Sequence, residues 1–222
     1  MGPHASLNLG DHVGDDPAAV WANRAQLAQQ LQGARPVWLR QVHGSTVVDA
    51  AAVLAGDLTP EADGSWTREP GVACVVQVAD CLPVLFAAPN GAAVGAAHAG
   101  WRGLAAGVVE RTASAVARAA GCEPEELSCW LGPCIGPRQF EVGADVLQAF
   151  GGGARFVGRP RPDGQSRWLA DLAGLARDRL AALGLSTVTG GLWCTVEDNS
   201  SFFSFRRDGV TGRQAAAVWL RP

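Results

Sequence analysis

Three apolar runs near the middle of the chain set its architecture. Gly71 to Val78, Leu82 to Ala88 and Ala92 to Ala97 each read as a buried strand bounded by turn residues. Pro89-Asn90-Gly91 between the last two is a hairpin signal. Over 101–120 the apolar positions fall on one face at helical spacing, with Gly121 as the stop. Upstream, Leu7-Asn8-Leu9 reads as a short strand. Asp16-Pro17 starts a helix carrying Val20, Leu27 and Leu31 and ending near Gly33. Strands are expected near 36–43 and 45–49, followed by a polar turn at Ala62-Asp63-Gly64-Ser65. Downstream come a strand at 127–131, a turn at 132–137, a short helix near 144–150, a Gly/Arg/Pro-rich loop over 151–167 and a helix over 168–183 closed by Gly184. Strands near 186–189 and 192–196 follow, then the run Ser201 to Arg207, a turn at Asp208-Gly209 and a last strand from Gln214 to Leu220. Strands and helices mix without strict alternation and no linker interrupts them. The expectation is one α+β domain spanning residues 1–222.

Composition narrows the function classes. A chain of 222 residues, 48% hydrophobic, can bury one sizeable core. The net charge of −3, without a basic tail or stripe, argues against a nucleic-acid partner. No apolar run reaches membrane-spanning length, and Met1-Gly2-Pro3-His4 lacks the features of a signal peptide, so the expected location is cytoplasmic. In that compartment the six cysteines are expected as thiols, with Cys74, Cys129 and Cys194 as small core residues. There is no Lys and no Tyr, so anion binding falls to Arg, backbone N–H groups or a metal.

The candidate chemistry lies in His43, Cys81 and His98. Two of the four histidines and one thiol occupy distinctive settings: Gln41-Val42-His43-Gly44, Asp80-Cys81-Leu82-Pro83 and His98-Ala99-Gly100-Trp101-Arg102-Gly103. Two imidazoles and a thiolate suit a catalytic zinc with one open position, and copper is compatible with the same donors. A two-residue hairpin loop would set Cys81 opposite His98, whereas a loop one residue longer would set it opposite Ala99. The start of the helix after Gly100, with the Arg102 guanidinium, is a candidate anion site. Read singly, each of the three residues is also an ordinary core residue.

These motifs carry a resemblance. The chain resembles the YfiH/FAMIN family of purine nucleoside phosphorylases, also known as laccase-domain proteins. Beyond the three motifs above, the likeness includes Leu7-Asn8-Leu9-Gly10, Asn23-Arg24, Gly132-Pro133-Cys134-Ile135-Gly136, Phe140-Glu141-Val142-Gly143 and Phe203-Ser204-Phe205-Arg206-Arg207-Asp208. The resemblance implies an α+β sandwich of mixed sheets flanked by helices. It implies zinc on His43, Cys81 and His98. It also implies phosphorolysis of adenosine, inosine, guanosine and methylthioadenosine, with adenosine deamination at the same site. Phe140 and Phe205 stand where members often carry an aromatic hydroxyl, and Ser65 replaces a hydrophobic residue.

That chemistry needs a carboxylate to move protons, for which Asp80 and Glu141 are candidates. It needs cations for phosphate, for which Arg102, Arg206, Arg24 and Arg40 are candidates. Phe202, Phe203 and Phe205 are candidates to stack on a purine, and as strand aromatics they are equally core residues. Oligomeric state stays open between monomer and dimer. Three other readings remain. One is a metal-free hydrolase with Cys81 as nucleophile and His98 as base, fitting the peptidoglycan editing linked to some members. A copper polyphenol oxidase is disfavoured by the histidine count. The third is a binding module with a closed structural zinc, for which Cys134 is the candidate fourth ligand.

Overall fold

Every residue from Val72 to Val78 is buried, because this strand carries a packed layer on each side. Val72, Cys74 and Val76 face one layer, and Ala73 and Val75 face the other. A computed structural model describes residues 2–56 and 59–221; Met1, Asp57, Leu58 and Pro222 lie outside the described residues, Met1 being part of the N-terminal signal reading.

The chain begins irregularly. Leu7-Asn8-Leu9 is not a strand: Ser6 and Leu7 have positive φ, and the Leu9 N–H donates to the Arg213 carbonyl at 3.0 Å. Helix α1 (Pro17–Gln30) starts where Asp16 accepts from the Ala18 N–H. Strand β1 (Arg35–Val37) and strand β2 (Val47–Asp49) are shorter than the sequence suggests. Between them the backbone is irregular, with one isolated bridge from Arg40 to Glu61 outside the strands. Helix α2 (Ala50–Ala55), not anticipated from the sequence, is an Ala-rich turn capped by Asp49. Strand β3 (Gly64–Thr67), strand β4 (Val72–Val78), strand β5 (Leu82–Ala87) and strand β6 (Val94–Ala99) follow.

The single helix expected over 101–120 is two. Helix α3 (Trp101–Ala105) and helix α4 (Val108–Ala120) are separated at Gly107, whose φ of 87° breaks the right-handed spiral. Strand β7 (Ser128–Leu131), strand β8 (Glu141–Val142) and helix α5 (Ala144–Ala149) lead to strand β9 (Phe156–Gly158), which lies inside the expected loop. Strand β10 (Trp168–Ala170) pairs with β8 and β9, so helix α6 (Leu172–Ala182) starts at the Asp171 cap, four residues later than its apolar pattern suggests. Strand β11 (Val188–Gly190) is followed by irregular chain in which Cys194 makes one isolated bridge to Cys134, in place of a strand over 192–196. Helix α7 (Phe205–Asp208), capped by Ser204, replaces the expected strand-like run, and strand β12 (Gln214–Trp219) closes the fold.

These elements stack in four layers. Helix α1 packs through Leu27, and through Leu31 at its C-terminal cap, on the sheet β1-β4-β12. That sheet packs through Cys74, Val76 and Val218 on the six-stranded sheet β11-β7-β5-β6-β3-β2. Helices α4 and α6 cover its far face, where Val84, Phe86, Val109, Val116 and Leu180 form the largest core. Burying a side chain such as Phe86 contributes about 1.5–3 kcal/mol. The small sheet β8-β10-β9 completes an α+β sandwich of mixed sheets, as the sequence led us to expect. No helix among the described residues is long and apolar enough to cross a membrane.

Candidate metal centre

The bend between β4 and β5 and the end of β6 bring two of the three candidate ligands together. The last pair of that hairpin is Ala87 with Val94, so its loop is longer than either expected length. Pro83 faces His98, and Cys81 lies diagonally beyond it, two residues from the first expected register. A shift of two preserves the face, whereas a shift of one would send the side chains to opposite faces.

Cys81 is aimed by its neighbour. Asp80 has a φ of 94°, unusual for a residue with a Cβ. Its carboxylate accepts from the Thr195 hydroxyl and from the Arg206 N–H, both at 2.6 Å, and its carbonyl accepts from the Ile135 N–H at 2.8 Å. These three contacts offset the strain of the bend.

His43 and His98 are aimed by one carboxylate, Asp63, which is fully buried. It accepts from the N–H groups of Val42 at 3.2 Å, His43 at 2.9 Å and Gly44 at 2.7 Å, and it lies 2.7 Å from His98 Nδ1. Three successive amides converging on one anion form a backbone nest. With Nδ1 engaged, Nε2 of His98 is left to face the thiol. A carboxylate behind a ligand histidine is the usual support of a metal site.

The donor atoms of His43, Cys81 and His98 all lie within 4.8 Å of one another, and His43 Nε2 is 3.8 Å from Cys81 Sγ. A tetrahedral ion with bonds of about 2.0–2.3 Å needs donors about 3.3–3.8 Å apart, so small side-chain movements suffice. Gly100 makes room for them: a Cβ there would lie 2.9 Å from His43 Cδ2 and 3.0 Å from Cys81 Sγ. The residues present fit a metal by donor type, spacing and support. Burial alone would raise the Cys81 pKa, but His98 and His43 outweigh it and hold the thiol down at about 6. By contrast, burial pushes the Cys74 and Cys129 thiols up to about 12.

A cavity of about 440 Å³ opens over this group. Its wall includes Asp80, Arg102, Phe205 and Arg206 among the residues singled out from the sequence. The Arg102 guanidinium stacks 4.3 Å from the Trp101 ring and has no acidic partner among the described residues. Helix α3 is only five residues long, too short to make its N-terminus an anion site by itself, which leaves the Arg102 side chain as the candidate there. Arg206 donates to the carbonyls of Gln139 and Glu141, both at 3.1 Å.

Other candidates sit elsewhere. Glu141 is paired with Arg161 and Arg159 in a neighbouring depression. Arg24 donates to the Leu9 carbonyl, pairs with Asp11 and stacks on Trp38. Arg40 pairs with Glu61 on the surface. None of the three lines the cavity; each is held by a partner outside it, 13 to 21 residues away along the chain. Phe202 and Phe203 also lie outside it. Cys134 is buried beside Cys194 with its thiol toward the Ile135 carbonyl, and it is not part of the donor group.

Sequence reasoning missed Asp63 as a support and His12, Gln41, Gln77 and Arg213 as cavity wall. Asp63 had a signal, an acidic residue before Gly64 with no other evident task. Gln41 stands in the Gln41-Val42-His43-Gly44 motif, where only the histidine has an evident task, while Gln77 in an apolar strand and His12 in a polar segment carried no signal of their own.

A family model described as multi-copper polyphenol oxidoreductase laccase matches residues 1–221. A Pseudomonas aeruginosa protein named as a purine nucleoside phosphorylase is 50% identical over 226 residues, covering 99% of this chain and 88% of that one. The Escherichia coli purine nucleoside phosphorylase YfiH is 47% identical over 221 residues, covering 98% and 88%. Among solved structures, a Neisseria meningitidis protein superposes with a TM-score of 0.90 at 46% identity, covering 100% of this chain and 89% of that one. YlmD from Geobacillus stearothermophilus superposes with a TM-score of 0.88 at 34% identity, covering 100% and 87%. With the fold, the His-Cys-His group and these full-length likenesses in agreement, the chain belongs to the YfiH family, the one that the laccase model describes.

Proposed function

We propose that this chain is a zinc-dependent purine nucleoside phosphorylase acting on adenosine, inosine, guanosine and methylthioadenosine, with adenosine deamination at the same site. The observation that carries the reading is the convergence of His43, Cys81 and His98 in the lining of a cavity that Arg102 and Arg206 also line. The relatives named as purine nucleoside phosphorylases support the substrate class.

When bound at these three ligands, zinc supplies Lewis acidity at the open side of the site. Asp63 keeps His98 in the tautomer that offers Nε2. Arg102, lying over the Trp101 ring, binds and orients phosphate for attack on the anomeric carbon as the purine leaves. Arg206, fixed by two carbonyls, adds positive charge at the rim. Asp80 holds the Cys81 bend and the Arg206 backbone through its two oxygens, a positioning task. Phe205, more than half exposed, offers a face for the base. Glu141, Arg24 and Arg40 act only through structure in this scheme.

The Asp63–His98 contact behind a thiol also suits the hydrolase reading, with Cys81 as nucleophile. One experiment separates the two. The zinc-loaded protein and a His43→Ala variant are incubated with adenosine, with and without phosphate, and products are resolved by chromatography. Phosphate-dependent adenine from the native protein alone supports the phosphorylase, and phosphate-independent inosine supports the deaminase. Neither product from fully metallated protein overturns the proposal and turns attention to covalent adducts at Cys81.

A further inference from the structure

We propose that Gln77 reads the 6-position edge of the purine, turning its carboxamide to accept 6-amino and 6-oxo bases alike. This rests on the phosphorylase reading and names the residue that gives that site its base specificity.

Gln77 lies near the end of β4 and lines the cavity over the His-Cys-His group. Its backbone is clamped: the Gln41 side chain donates to the Gln77 carbonyl and accepts from the Gln77 N–H, both at 2.8 Å. Its own side chain is treated differently. Only 5% of the residue is exposed, yet its Oε1 has no hydrogen-bond partner among the described residues. The hydrogen bonds at Gln77 involve its backbone.

A buried carboxamide with unsatisfied capacity is uncommon, because leaving it unpaired costs stability. Gln77 lines the cavity while Oε1 is shielded from it, so the carboxamide meets a ligand by turning about its own side-chain bonds, and the bonds it then makes replace none that it has to give up. A carboxamide offers one acceptor and two donors side by side. Adenine presents the 6-amino donor beside the N1 acceptor, and a carboxamide accepts from the first while donating to the second. Hypoxanthine presents the 6-oxo acceptor beside the N1–H donor, which the same group meets after a half-turn. Glutamine pairs with adenine bidentately in other settings for the same reason. A fixed donor or a fixed carboxylate would select one class of base; an amide on a rigid strand admits both.

The test uses zinc-loaded native protein and Gln77→Met, close in size and without hydrogen-bonding capacity. Phosphorolysis kcat/KM is measured for adenosine, inosine and 6-methylpurine riboside, whose methyl group fills the 6-position without donating or accepting. Zinc content and Tm are measured alongside. The expected result is unchanged zinc, a Tm equal to or above native, a loss on the order of 10-fold or more for adenosine and inosine, and a smaller loss for the methyl analogue. An equal loss for all three nucleosides, or a lowered Tm, would show a structural role and overturn the inference. So would native protein that cleaves the methyl analogue as well as adenosine, a readout that needs no variant. Native and Gln77→Met proteins with the same rates overturn this inference alone. Native protein that cleaves none of the three overturns the phosphorylase reading, and this inference with it.

Discussion

Asp63 Oδ1 lies 2.7 Å from His98 Nδ1 while the same carboxylate gathers the amides of Val42, His43 and Gly44. One buried group thus orients two of the three candidate ligands, from elements far apart in sequence. Burial alone would raise its pKa, but His98 and the Gly44 and Val42 amides outweigh that and hold it below the usual carboxylate range.

Replacing that carboxylate tests the arrangement. Asp63→Ala should lower metal affinity roughly 10- to 100-fold and stability by about 3 kcal/mol, since it strands buried amide donors. Metal competition titration and denaturant unfolding check both. Native-like affinity in a folded Asp63→Ala protein would show that His43 and His98 are positioned some other way.

Gly100→Ala places a Cβ against both His43 and Cys81. Its expected effect is selective, with metal affinity reduced on the order of 10-fold or more while Tm of the metal-free protein moves little, because the ligand side chains can swing aside. Metal content after gel filtration against thermal unfolding of the stripped protein separates the two quantities. A large Tm loss with metal retained would contradict it.

Arg102 stacks on Trp101 without an acidic partner among the described residues. Arg102→Ala should therefore raise the KM for phosphate at least about 10-fold, as expected for loss of a charged pair. Phosphate-independent adenosine deamination should change far less. Steady-state kinetics with phosphate varied would expose an equal effect on both reactions, which would move Arg102 from phosphate to the nucleoside.

The Cys81 thiol, held down at about 6, should be ionised at neutral pH in metal-free protein. Iodoacetamide labelling of Cys81 should then reach half its plateau rate near pH 6, and His98→Ala should move that midpoint up toward about 8.5. The sign of the linked stability follows: a depressed pKa stabilises the fold above the ordinary thiol range, and that contribution is lost as pH falls through about 6. Bound metal should protect Cys81, while Cys74 and Cys129, pushed up to about 12, should stay unlabelled. A labelling rate still climbing through pH 8.5 would show that the histidines do not act on the thiol.

The central strands and the flanking helices were legible because their apolar periodicity spans enough residues to outweigh local preference. Short segments were not. The residues of β10 carry the same apolar character as α6 behind them, and only pairing with β8 and β9 makes them extended. Gly107 looks like a tolerable helix glycine until its left-handed φ splits α3 from α4. At the site, His43, Cys81 and His98 stood out by their motif settings, Arg102 by its charge within one of those motifs, and Arg206 by its place in the separate run Phe203 to Asp208. Arg24, Arg40 and Glu141 carried similar signals, yet each pairs outside the cavity.

The sequence by itself determined the donor types, the paucity of histidine, the strand-hairpin-helix centre and, through its ordered motifs, the family. Those properties are carried by residue identity and local spacing. The tertiary structure decided which charges face the cavity, how Asp63 reaches across to His43 and His98, and that Gln77, a residue of the cavity wall, has an Oε1 without a partner among the described residues. The physical reason is that a hydrogen bond or a ligand contact depends on where two chain segments meet. That meeting is fixed by the packing of whole sheets, not by the residues on either side of it.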